Sequence, residues 1–108
     1  MEALKNIWVQ LLTNVESFIA DKWKDLKQEA VDDSVKFLNG AREDIMRWLS
    51  LLAEGTLTAD DLHWLIKGKR DSAELLFLKQ KGLAKPELDK FFDGLLETII
   101  STSLKLII

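Results

Sequence analysis

Proline occurs once in this chain, at Pro86, and glycine at five of its 108 positions. A chain so poor in breakers runs in long uninterrupted segments, and this favours helices over strand-and-turn architectures. The hydrophobic fraction, 47%, is enough for a packed core and argues against disorder. The length fits one domain of ordinary size, so residues 1–108 are expected to form a single helical domain.

The apolar spacing agrees. Leu4, Ile7, Trp8, Leu11, Leu12, Val15, Phe18, Ile19, Trp23, Leu26 and Ala30 recur at intervals of three and four, which is helical periodicity. The pattern re-phases through Val31, Val35, Leu38, Ile45, Leu49 and Leu52. Residues 2–53 therefore read as one long, kinked helix or as two. The break falls either near Asp32-Asp33-Ser34 or at Asn39-Gly40, where glycine suits a left-handed cap. Gly55 ends this region. Thr58-Ala-Asp-Asp61 is a near capping box that opens a second segment, expected to continue toward Gln80 with Leu62, Leu65, Ile66, Ala73, Leu76 and Phe77 inward. Gly68 weakens that segment from within and Gly82 ends it. Pro86 suits the first turn of a last helix, faced by Leu88, Phe91, Phe92, Leu95, Leu96, Ile99, Ile100, Leu104 and Ile107. The expected fold is all-α, a bundle of about four amphipathic helices with a long first helix.

Two stretches share a plan. EGTLTADDLHWLIKG (54–68) and KGLAKPELDKFFDG (81–94) each run from a charge and a glycine through a short linker to an acid, a leucine, a bulky pair and a second glycine. Leu62 aligns with Leu88, Leu65-Ile66 with Phe91-Phe92 and Gly68 with Gly94. Two glycine-ended turns followed by amphipathic helices account for the likeness, and a duplicated helix-turn unit is the alternative.

The residues that could carry chemistry are few. With no cysteine, disulfides, thiolate chemistry and cysteine metal sites are excluded. His63 is the only histidine. A metal site needs three or four ligands, and proton transfer needs a nucleophile or substrate pocket; neither is announced. Its neighbours Leu62 and Trp64 place His63 at a boundary or in solvent. Asp32-Asp33 and Asp60-Asp61 diverge by about 100° on a helix and form no calcium loop. Ser101-Thr102-Ser103 is expected to return hydroxyls to backbone carbonyls. No catalytic, cofactor or metal-binding residue is assigned, and no enzyme activity is expected.

Net charge is −3, which implies no nucleic-acid partner. Residues 67–85 hold six basic and two acidic side chains. They lack the interleaved aromatics of base-stacking surfaces, and KGKR lacks the spacing of a phosphate loop. A solvated helix face is the expectation there. MEALKNIW offers no basic stretch ahead of an apolar core, so no signal peptide is expected. No apolar run reaches membrane-spanning length. A cytoplasmic location follows as the default.

The chain closes on TIISTSLKLII (98–108). One stripe can pack on the other helices, while Leu106 and Ile108 are left to find another partner. Clusters of exposed leucine and isoleucine invite association. Tryptophan also anchors interfaces; Trp23, framed by Lys22 and Lys24, could alternatively sit at lipid headgroups. The candidate interface is Trp8, Leu12, Trp23, Ile100, Leu104, Leu106, Ile107 and Ile108. The expected function is a non-enzymatic helical interaction module that forms a homo-oligomer across a two-fold axis and scaffolds or regulates a protein partner. The alternative is peripheral binding to a membrane surface.

Overall fold

A computed structural model describes residues 2–69 and 76–107, with side chains described for 6–69 and 77–107. The fold is an all-α bundle, with no strand among the described residues. Helix α1 spans Glu2–Lys22, α2 Lys27–Ala53, α3 Ala59–Gly68, α4 Leu76–Gln80 and α5 Lys85–Ile107. The described body measures 43 × 23 × 19 Å, proportions set by three long helices lying side by side.

The long first region is two helices, and the break lies at neither expected place. Residues 32–34 and Asn39-Gly40 are interior to α2, which is unbroken over 27 residues. The chain reverses instead at Trp23–Leu26. The Trp23 N–H makes a last helical bond to the Ile19 carbonyl (2.7 Å), and a single 3₁₀ turn, Lys24–Leu26, comes next. No glycine or proline is needed, because Trp23 (φ −132°) and Leu26 (φ −122°) stay on the ordinary left side of the Ramachandran map. What fixes the bend is packing. The Trp23 ring meets Phe91 edge-on at 5.3 Å and 88°, and Leu26 also rests against the core.

α2 therefore runs back along α1, bringing the Arg42 guanidinium over the Trp8 ring at 5.0 Å. α5 is antiparallel to α1: Trp23 meets Phe91 at one level and Asn14 Nδ2 donates to Thr102 Oγ1 (2.9 Å) at another. Phe37 and Phe92 join α2 to α5, their rings edge-to-face at 5.2 Å. The buried apolar side chains form one cluster drawn from every helix.

Two left-handed glycines close the turns. Gly55 (φ +80°) follows α2 and Gly82 (φ +89°) follows α4, a conformation that costs other residues about 1–2 kcal/mol. Thr58 then caps α3 in a complete capping box. Its hydroxyl accepts from the Asp61 N–H, and the Asp61 carboxylate accepts from the Thr58 N–H, both at 3.1 Å. In α5 the Glu87 and Leu88 N–H groups both reach the Ala84 carbonyl at 3.0 Å. Pro86, having no N–H to place, fits the first turn ahead of them.

The segment expected to run unbroken from 58 toward Gln80 is divided. α3 stops at Gly68, and α4 is a separate short helix; Ala73 and the Leu76 side chain lie outside the described residues. Phe77, expected inward, is 41% exposed, and Leu78 takes the buried place. The cause is Asp33. This fully buried carboxylate, on α2, accepts from the Phe77 N–H (3.0 Å) and the Leu78 N–H (2.8 Å). It satisfies two donors that a helix start leaves unpaired and sets the rotation of α4.

Candidate interaction surface

Most of the candidate interface is used by the chain itself. Trp8 is 5% exposed and Ile100 is 3% exposed, so both are core residues with no face left for a partner. Leu12, Trp23, Leu104 and Ile107 are half-buried and packed against the same core. Ile108 lies outside the described residues. Of the seven that are described, Leu106 alone is substantially open, at 47%. It stays in helical phase with Ile99, Thr102 and Ser103, which are buried. Its exposure thus comes from its level, at the end of the bundle, and not from facing away from the core.

The hydroxyl cluster of the tail is structural. Ser103 Oγ donates to the Ile99 carbonyl (2.8 Å), as expected, while Thr102 accepts from Asn14 across the α1–α5 seam. That polar contact between two apolar faces pins the register of the pair.

The basic stretch is dispersed, and four of its lysines are paired with acids. Lys67 Nζ lies 3.2 Å from Glu97, Lys81 Nζ 3.3 Å from Glu29 and Lys85 Nζ 3.2 Å from Asp89. Lys69 pairs with Asp44 and lies over the Trp48 ring at 5.7 Å. The Lys69 ammonium, hydrogen-bonded to Asp44, holds that carboxyl below its ordinary range. Arg70 lies outside the described residues. These cations tie α3, α4 and α5 to acids, several on neighbouring helices, and present no continuous phosphate-facing surface.

His63 sits at a boundary, its Nε2 4.0 Å from the Glu97 oxygen that Lys67 also approaches. Among the described residues no group of three or more histidine, aspartate or glutamate side chains is placed to hold a metal ion. Asp61 is committed to its cap, Asp33 to α4, and Asp32 accepts from Gln28 (3.0 Å). An open groove of about 420 Å³ is lined by Phe18, Lys22, Trp23, Lys90 and Gly94. It offers apolar walls and two ammonium groups, with no nucleophile or acid–base pair.

The most exposed large apolar side chain described is one outside the candidate interface. Trp64 is 79% exposed on α3, and Val9, at 61% on α1, is next. The signal was available in the spacing. Trp64 stands two residues from both Leu62 and Ile66, about 200° around the helix from each, and those two are fully buried. α3 is capped at its start and tied at its end by Lys67 and Lys69, so Trp64 is held outward on a fixed support. No described helix is long and apolar enough to cross a membrane. No protein-family model matches the chain, and neither the curated proteins nor the solved structures contain a match to it.

Proposed function

We propose that this chain is a cytoplasmic, non-enzymatic helical interaction module that self-associates and serves a scaffolding or regulatory role. One observation carries the reading. With the core closed, Val9, Trp64 and Leu106 remain 61%, 79% and 47% exposed. Of these, a tryptophan held outward on a capped helix most favours a protein contact, since tryptophan is enriched at interface hot spots. Trp23, the residue that suggested lipid, packs in a T-shaped contact with Phe91 and, half-buried, is only partly available to headgroups.

The test is molar mass by light scattering over a range of concentrations, without lipid. A mass that rises above that of one chain supports the module. A single-chain mass throughout, together with a blue shift of tryptophan emission on anionic vesicles, replaces it with the lipid-binding reading. Leu104 and Ile107 belong to the core, so deleting residues 104–108 would confuse folding with association. Leu106→Glu isolates the exposed part of the tail.

A further inference from the structure

We infer that the seam of self-association is the outer face of α3, where two copies of this chain pair antiparallel across a two-fold axis at Trp64. The inference rests on the self-association proposed above and assigns it to one surface. The outer face carries Asp60, Trp64, Lys67 and Gly68, all exposed. They lie at i, i+4, i+7 and i+8, one stripe of a helix. The acid stands one turn before the tryptophan and the base one turn after it. Two such helices crossing antiparallel at Trp64 put each Asp60 opposite the partner copy's Lys67 and stack the indoles between them. A parallel crossing would set like charges side by side. The charge order therefore selects the antiparallel two-fold arrangement over the parallel one, and makes the patch complementary to itself.

Two further details fit. Among the described residues nothing lies within 4 Å of where a Gly68 side chain would begin, which leaves room for the partner copy's Asp60 to come up beside Lys67. Lys67 is 45% exposed beside Glu97, itself 55% exposed, so its ammonium can bridge that acid and an incoming Asp60. The stripe spans about 12 Å of helix at 1.5 Å per residue. That is well short of a standard interface, so the dimer is weak and concentration-dependent.

The experiment is sedimentation equilibrium of the full chain up to about 1 mM, where a contact this small should be populated. The wild type is expected to approach twice the single-chain mass. Trp64→Gln should weaken the dimer by about a hundredfold, as hot-spot tryptophans do, with the far-ultraviolet circular dichroism unchanged because Trp64 is exposed. Asp60→Lys and Lys67→Glu should each weaken it, since each homodimer then opposes like charges. An equimolar mixture of those two variants should recover wild-type association, because in the antiparallel mixed pair both contacts become opposite in sign. A wild type that stays monomeric overturns both the self-association and this seam. A dimer that survives Trp64→Gln overturns the seam alone and leaves another surface in use. A mixture no tighter than its parts overturns the antiparallel pairing.

Discussion

Residues 54–68 and 81–94 begin on a shared plan and end as different objects. Each opens on a left-handed glycine, Gly55 at φ +80° and Gly82 at φ +89°. Each then starts a helix with a bulky pair at its core face. After that they part. Phe91 and Phe92 are 0% and 4% exposed, whereas in the first unit Ile66 is buried and Leu65 only half so. Gly68 ends its helix with nothing near its Cα substituent position among the described residues; Gly94 lies under the Phe18 ring, and α5 continues thirteen residues beyond it. The neighbouring residues make the difference, with Lys69 and Arg70 after one glycine and Leu95 and Leu96 after the other. The same local plan thus yields a short outer helix in one case and a central one in the other.

The largest expected contrast is at the bulky pair. Phe91→Ala removes a fully buried ring that touches both Phe18 and Trp23, and it should cost about 3–5 kcal/mol. Leu65→Ala, at the aligned position, should cost less than about 2 kcal/mol because its site is already half open. Urea unfolding of both variants measures the two values. Equal costs would break the contrast and make the two units equally embedded.

What the units share should respond alike. Gly55→Ala and Gly82→Ala force a side chain into a positive φ, and each should lose about 1–2 kcal/mol. Thermal unfolding should show two similar shifts, and a large difference would mean that one turn relaxes to another conformation. Thr58→Ala tests a smaller feature of the first unit, its capping box. It should cost about 1 kcal/mol, with loss of amide protection confined to the first turn of α3.

The helical class, the two glycine turns, the Thr58 cap and the apolar stripe of α5 were legible because each is written in local spacing. The reversal at Trp23–Leu26 was not, since ordinary residues make it and its cause is the distant Phe91. The division of α3 from α4 was hidden for the same reason: Asp33 reaches across 44 and 45 residues to Phe77 and Leu78. Adjacent acids diverge around a helix, and nothing local marks one of them as a buried cap. Trp8 and Ile100 lie in the chain's own core, because an apolar excess on isolated helices is used first by neighbouring helices of the same chain. Trp64 was legible in principle, from its phase against Leu62 and Ile66.

The smallest effect is the most discriminating, because it differs in sign. Gly68→Ala places a methyl group where nothing among the described residues lies within 4 Å. Alanine is the better helix former by about 1 kcal/mol in a helix interior, so at this last helical position the variant should gain up to that amount. Gly94→Ala has the same propensity gain available. There, however, the new Cβ would lie 2.5 Å from Phe18 Cζ and 2.7 Å from Cε1. The ring is the end of a side chain and can swing, but it leans on Phe91 with centroids 6.0 Å apart, and moving it disturbs the α1–α5 seam. Overpacking of this kind costs about 1–3 kcal/mol, which offsets the propensity gain and leaves a net loss of about 1 kcal/mol. Paired chemical denaturation gives both signs directly. A gain at Gly94 would mean that Phe18 leaves without penalty, and the close approach of α1 to α5 would then not depend on this glycine.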